Sequence, residues 1–135
     1  MKTRIAIIIP GGIGTGHNNV GVPVLERIVK LLSEDFDITV FSLFKINKNY
    51  KHSNFELISI SGSGTLLKIL KFFVRFIRLH LTKRFQIIHG FWALPSGVLA
   101  VLLGKIFNIK SVISVLGGHA ISLPDIRYGQ LQKKI

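Results

Sequence analysis

The order of hydrophobic and polar positions predicts short buried strands that alternate with amphipathic helices. A mostly β-branched run, Arg4 to Ile9, is typical of a parallel strand covered on both faces. Four further strands are predicted at Asp37–Leu43, Phe55–Ile60, Gln86–His89 and Ser111–Leu116. Helices are predicted at Pro23–Ser33, at Leu66–Thr82 after the turn and cap Ser61–Thr65, and from a cap at Ser96 to Phe107. This alternation predicts an α/β fold with a parallel sheet and helices on both faces.

Three groups of glycine and polar residues follow strands of this predicted sheet. Gly11 to His17 follow the first strand, His89 to Trp92 end the fourth, and Gly117 to His119 follow the fifth. Because parallel strands end at the same edge of a sheet, all three groups are expected at the carboxyl edge, where open α/β sheets bind ligands. The sequence therefore predicts a binding site there.

The loop after the first strand is rich in glycine but carries neither of the two common nucleotide motifs. The glycine spacing of a dinucleotide fingerprint fails, the second strand ends without a carboxylate, and no Gly-Lys-Ser/Thr of a P-loop is present. Backbone N–H groups of such a loop can still approach a phosphate or a sugar closely. The alternative is a tight turn without a ligand. The candidate phosphate-binding residues are Gly11, Gly12, Gly14, Gly16 and His17.

The other two groups supply candidate residues for a second ligand. His89 has the alternative of a buried, hydrogen-bonded histidine, and Trp92 can stack on a sugar ring or simply pack. Gly117 and Gly118 leave backbone N–H groups exposed beside the titratable His119, for which a turn role is the alternative. No serine elbow or catalytic triad is present. The histidines lack the spacing of metal ligands, so no metal site and no cofactor is predicted.

Composition narrows the class of protein and of partner. The chain has 135 residues, 48% of them hydrophobic, which is enough for one self-sufficient core over residues 1–135. The absence of cysteine excludes disulfides, thiol catalysis and thiolate metal sites. A net charge of +12 indicates an anionic partner. No acidic residue lies between Leu57 and Pro124, so the positive charge is concentrated in that part of the chain.

The predicted helix from Leu66 carries a basic stripe. Its members are Lys68, Lys71, Arg75 and Arg78, which fall in an arc of roughly 80° at about 100° per residue. Apolar residues occupy most of the remaining surface, more than docking on a sheet requires. A basic stripe with apolar flanks, expected at Phe72 and Leu79, is typical of a helix that lies on an anionic membrane. The alternative is that neighbouring helices cover both flanks.

The lengths of the apolar runs bear on the location of the protein, and the placement of the aromatic residues bears on its partner. None is long enough for a signal peptide or a membrane span. We therefore expect a cytoplasmic protein that lies peripherally on the inner face of the membrane. A nucleic-acid partner is not predicted, because no binding module is present and the aromatic residues lie in apolar helices.

Taken together, the motifs resemble the N-terminal half of a GT-B glycosyltransferase of the large retaining family 4, over nearly the whole chain. The similarity includes Ile87 to Gly97 and is most specific from Ser114 to Gly129, where Gly-Gly and Leu-Pro-Asp-Ile-Arg-Tyr-Gly resemble a bacterial branch. The chain differs from many relatives at Leu116, where they have histidine, and at His119, where they have an acid. Catalytic residues are therefore not assigned.

The resemblance implies a Rossmann-like domain that holds the acceptor and closes its glycine loop on the diphosphate of a nucleotide sugar. Its acceptor-side residues would be His89, Trp92, Gly117, Gly118 and His119. The activity implied is transfer of a hexose-type sugar to a glycan or lipid-linked acceptor in cell-surface polysaccharide synthesis. The donor-binding C-terminal domain is expected on a missing segment or a partner chain, and the isolated chain is expected to be inactive. The competing hypothesis is a non-catalytic module that binds membranes or phosphate.

Overall fold

The computed structural model describes residues 1–17, 21–51 and 54–117. Its strands are β1 (Arg4–Ile9), β2 (Asp37–Ser42), β3 (Glu56–Ser59), β4 (Ile87–Phe91) and β5 (Lys110–Ser114). Its helices are α1 (Pro23–Asp35), α2 (Thr65–Lys83) and α3 (Val98–Phe107), and a kinked segment, Ala93–Gly97, precedes α3. The strands form one sheet in the order β3-β2-β1-β4-β5, and every pair is parallel. The predicted α/β fold is confirmed, and the arrangement is Rossmann-like.

Two apolar layers cover the sheet, one on each face. On one face, Leu25 and Val29 of α1 pack with Ile5, Ile7 and other inward residues of the strands. On the other face, α2 and α3 pack on Ala6, Ile8 and Phe41. The alternate residues of β1 thus serve opposite layers, as the period of a strand requires. This double burial explains the uninterrupted apolar run that predicted β1 at its observed bounds.

The N-cap of α2 lies within the predicted turn and cap Ser61–Thr65, whereas the cap predicted for α3 at Ser96 is wrong. Gly64 is the N-cap of α2 and Gly97 that of α3, and neither helix has a side-chain cap hydrogen bond. Ser96 is instead fully buried, and its Oγ has no hydrogen-bond partner in the described part of the chain. The kink before α3 turns this serine into the interior and away from the capping position.

The expected apolar flank of the basic stripe is also corrected. Phe72 is fully buried in the core, and Leu79 packs against the same cluster, so neither lies on an exposed edge. The exposed apolar side of α2 is formed by other residues, which are 36% to 67% exposed and which we call the outer stripe: Leu67, Leu70, Val74, Ile77 and Leu81. Their spacing of 3, 4, 3 and 4 places them in an arc of roughly 80°, beside the basic stripe rather than within the core-facing side.

Candidate functional site

The strand order places a crevice at the carboxyl ends of β1 and β4. β1 lies between β2 and β4, so the chain leaves β1 toward one side of the sheet and leaves β4 toward the other. Open α/β sheets bind ligands at such a switch point, because the connecting loops diverge there. The predicted loop Gly11 to His17 follows β1, and Trp92 follows β4. The structure therefore brings two of the three predicted groups to the two sides of this crevice.

The glycine loop is held in place by its own backbone and by close neighbours. The Gly12 N–H donates to Thr15 Oγ1 (3.0 Å), and the Val22 N–H donates to the Gly12 oxygen (2.7 Å). Gly14 has a φ of +63°, and a Cβ there would lie 2.6 Å from the ring of Tyr50. Such a contact leaves no space for a side chain. Gly14 therefore has the packing role expected of a tight turn. This role does not exclude ligand binding by other residues of the same loop.

The end of the loop differs from its beginning. Gly16 is exposed with a φ of +78°, and a Cβ there would meet nothing closer than 3.6 Å. His17 is exposed as well. Backbone and imidazole groups at this end are therefore accessible to a ligand, while Gly11 and Gly14 are buried.

A segment that sequence reasoning missed forms the support of this loop. The ring of Phe44 lies so close to Gly11 that a Cβ there would be 2.7 Å from it. The Asn47 N–H donates to the Gly14 oxygen (2.7 Å), and Asn47 Nδ2 donates to the Gly16 oxygen (2.8 Å). The sequence signal was present but weak: aromatic residues in an otherwise polar, Lys- and Asn-rich loop.

Tyr50 connects this support to α1. Burial raises the pKa of Tyr50, and its hydrogen bond to the Glu26 carboxylate raises it further. Glu26 also pairs with Lys30 at 2.7 Å. This carboxylate of α1 is therefore engaged by two partners and holds the loop rather than offering a free base.

The end of β4 presents a neutral histidine. His89 Nε2 lies 2.8 Å from Ser114 Oγ, and its ring stacks on Phe91 with centroids 4.3 Å apart. Burial lowers the pKa of His89, so its imidazole is neutral at pH 7. One ring nitrogen is occupied by the serine. This arrangement fixes the orientation of the His89 ring. It agrees with both alternatives for His89, a hydrogen-bonded structural histidine and a residue that binds a ligand.

Trp92 adopts an unusual backbone conformation beside this histidine. Its φ is +68°, which is rare for a residue with a side chain. The Trp92 N–H donates to the Ser114 oxygen (2.8 Å), and the side chain is partly buried against the cluster that contains Ile13 of the glycine loop. Strained conformations of this kind are concentrated at functional sites. Trp92 therefore links the β4 end to the glycine loop.

The third predicted group is only partly described. Gly117 is exposed, with a φ of +74° and open space around it. Gly118 and His119 lie outside the described residues. Their predicted role on the acceptor side stays a prediction.

The described part of the chain offers groups for hydrogen bonding rather than for metal chemistry. Within it, no three histidine, aspartate or glutamate side chains are placed to hold a metal ion. Backbone N–H groups of the glycine loop, a neutral imidazole and an indole suit phosphate oxygens and sugar hydroxyls. None of the helices that the structure describes is both long enough and apolar enough to cross a membrane.

The comparisons with known proteins agree with this fold. Residues 17–135 match the family described as glycosyl transferase 4-like. Comparison with curated proteins finds no match. Because the family match covers most of the chain, the chain belongs to the glycosyl transferase 4-like family, which confirms the resemblance and supports a glycosyltransferase module with sugar donor and acceptor substrates.

Proposed function

We propose that this member of the glycosyl transferase 4-like family is the acceptor-binding half of an enzyme that moves a hexose-type sugar from a nucleotide sugar to a glycan or lipid-linked acceptor. The observation that carries the proposal is the crevice between the ends of β1 and β4, with the glycine loop on one side and His89 and Trp92 on the other. Synthesis of a cell-surface polysaccharide is the role that we infer for the product. A donor-binding domain, on further chain or on a partner, would complete the site.

If one domain binds the acceptor and another binds the donor, the behaviour of the 135-residue chain alone can be predicted. We expect no transferase activity and weak binding of UDP-glucose, because contacts to the base and ribose would come from the donor domain. An octyl glycoside, by contrast, should shift the NMR signals of the β4 end and of the glycine loop. Micromolar affinity for UDP-glucose, about −8 kcal/mol, would show that the donor site lies in this half and would overturn the proposal.

Two glycines give a matched pair for the phosphate side. Gly16 and Gly64 both have positive φ, and a Cβ would make only ordinary contacts at Gly16 and none at Gly64, so at each position alanine fits in space and strains the backbone. Only Gly16 belongs to the glycine loop. We expect Gly16→Ala to abolish the loop shifts that millimolar UDP-glucose produces, and Gly64→Ala to leave them. Equal behaviour of the two variants would contradict a phosphate role for the loop.

A specific observation also favours a second role, binding to an anionic membrane surface. The outer stripe of α2 is exposed and lies next to Lys71, Arg75 and Arg78, which are exposed too. α2 contains no acidic residue, so a second copy of this helix would bring like charges together, whereas an anionic leaflet would neutralise them. We infer that the domain works peripherally on the inner, cytoplasmic face of a membrane, as an enzyme or, in the alternative, as a non-catalytic module.

Vesicle sedimentation tests this second role. Replacing Lys68, Lys71, Arg75 and Arg78 by Gln removes about 4 kcal/mol of attraction, roughly a thousandfold in partitioning to phosphatidylglycerol vesicles. The matched control removes four exposed cations elsewhere, by Gln at Lys45, Lys51, Lys105 and Lys110. Equal loss in both variants would indicate general attraction by net charge. Binding of the wild type to duplex DNA but not to vesicles would overturn the membrane role.

A further inference from the structure

An apolar pocket that the sequence did not predict opens at the carboxyl edge of the sheet. It is a cavity of about 210 Å³ between the ends of β1 and β2, the start of α2 and the start of α3. Its apolar walls come from Pro10, Leu43, Phe44, Ile69, Pro95 and Leu99. An engineered apolar cavity of roughly 150 Å³ stays dry and binds benzene, so this pocket has room for a somewhat larger hydrocarbon group.

One cation lies among these apolar walls. Lys68 also lines the pocket, and its Nζ lies 5.4 Å from the centre of the Phe44 ring. No carboxylate of the described residues pairs with this ammonium group. An unpaired cation beside an apolar cavity is complementary to a molecule with a hydrocarbon part and an anionic part. Neither a free sugar nor a neutral alkane would use both features.

The surroundings of the pocket connect it to the two surfaces already described. Phe44 forms one wall and also packs on Gly11 of the glycine loop. Thr65 lines the pocket at the first turn of α2, and the next residues, Leu66 and Leu67, are exposed and lead into the outer stripe. A molecule in the pocket would thus lie between the first turn of α2 and the beginning of the glycine loop.

We propose that this pocket holds the hydrocarbon of a lipid phosphate, the carrier part of a lipid-linked acceptor, with Lys68 beside its phosphate. This inference rests on the proposed function, since it names the class of acceptor. The first carbons next to the phosphate occupy the cavity, and the rest of the chain continues along the exposed apolar start of α2. Lys68 then has a role in addition to the one that it shares with the other cations of the basic stripe, because at the pocket it binds a single phosphate.

Calorimetry with geranyl phosphate at monomeric concentrations tests the pocket on the 135-residue chain. We expect saturable binding of one molecule, about tenfold weaker binding of geraniol, which lacks the phosphate, and no measurable binding of inorganic phosphate. Lys68→Gln should weaken the affinity about tenfold, the value of a hydrogen bond to a charged group. Binding of inorganic phosphate as tight as that of geranyl phosphate would show a simple anion site and would overturn the proposal.

Plugging the pocket provides the matched control. Thr65→Phe places a ring in the cavity from an exposed position and should weaken geranyl phosphate binding about tenfold or more, whereas Thr82→Phe, at the other, exposed end of α2, should leave it unchanged. Both variants should keep the wild-type melting temperature, which shows that they fold. Equal affinities of the two variants would overturn the assignment of the site.

Two further readouts separate this inference from the proposals on which it stands. Thr65→Phe should sediment with phosphatidylglycerol vesicles like the wild type, because the outer stripe is intact; a parallel loss would show a general membrane surface and no discrete pocket. Octyl glycoside shifts at the β4 end report on the acceptor site independently. If those shifts are present and geranyl phosphate does not bind, the lipid-phosphate pocket is wrong while the proposed function stands.

Discussion

The two sides of α2 show how the same residue types serve different ends. On the inner side, Phe72 and Phe76 are fully buried and contact the ring of Phe41 at centroid distances of 5.6 and 5.7 Å. On the outer side, Leu70 and Val74 are 60% and 45% exposed. Both sides are apolar, yet one is occupied by the sheet and the other has no covering element among the described residues.

The difference shows that a helix with more apolar surface than packing on the sheet requires can have a second binding surface. Docking on a sheet uses an apolar arc of a little more than about 100°, and α2 carries a second arc beyond it. The second arc borders the cations on one side, and the core-facing arc borders them on the other. An apolar surface with cations on one flank suits an anionic leaflet, where both parts are satisfied together.

The largest effect is expected on the inner side. Phe76→Ala should lower the free energy of unfolding by about 3–5 kcal/mol, because the ring is fully buried among Phe41, Phe72, Phe85 and Phe107. Leu70→Ala on the outer side should change it by less than about 0.5 kcal/mol. Urea denaturation measures both. If Leu70→Ala proves as costly as Phe76→Ala, the outer stripe is covered in the folded protein and the comparison fails.

A smaller effect is expected on the outer side of α2, and it concerns membrane binding rather than stability. Leu70→Ser with Val74→Ser should weaken partitioning to phosphatidylglycerol vesicles roughly thirtyfold, about 2 kcal/mol of lost apolar burial, while the melting temperature stays near that of the wild type. The control pair, Val24→Ser with Leu31→Ser, removes exposed apolar side chains from α1 on the other face of the sheet. Equal losses for the two pairs would contradict a specific membrane face.

The comparison also shows how far the sequence led. The basic stripe followed from spacing alone, and the bounds of β1 from a continuous buried run. Periodicity was unable to tell which part of the wide apolar surface of α2 meets the sheet, so Phe72 and Leu79 were placed on the wrong side. That choice depends on how α2 lies on strands far away in the chain, which local spacing does not encode.

For the candidate site, the sequence predicted the location but not the packing around it. Glycine and polar residues at strand ends indicated the carboxyl edge, and the strand order places the loops after β1 and β4 at that edge, where they leave toward opposite sides of the sheet. The packing of Phe44 against Gly11 and of Tyr50 against Gly14 joins residues that are far apart in the chain and has no local signature. The pocket beside Lys68 was missed for the same reason, since four separate segments form it.

The smallest effect is expected on acidification. It should change the stability contributed by a histidine on the inner side of α2 and leave the outer side unchanged. His80 lies on the inner side among Phe76, Phe85 and Phe107, and burial, with a smaller contribution from Arg84, lowers its pKa below the usual 6.5. The folded protein therefore favours the neutral imidazole, and the unfolded chain binds the extra proton first. Stability is fully present above pH 6.5 and is lost as the pH falls below it.

A comparison of wild type with His80→Phe makes this test specific, because His89 has a pKa lowered by burial in the same direction and stays in both proteins. Urea denaturation at pH 7.5 and pH 5.5 should show a smaller loss of stability on acidification in the variant, since one of the two partly buried imidazoles no longer takes up a proton on unfolding. The substitution leaves the basic stripe and the outer stripe intact, so vesicle binding per folded molecule should match that of the wild type at either pH. An equal loss of stability in both proteins would mean that His80 is solvated in the folded state and that the inner side of α2 is less tightly packed than its phenylalanines indicate.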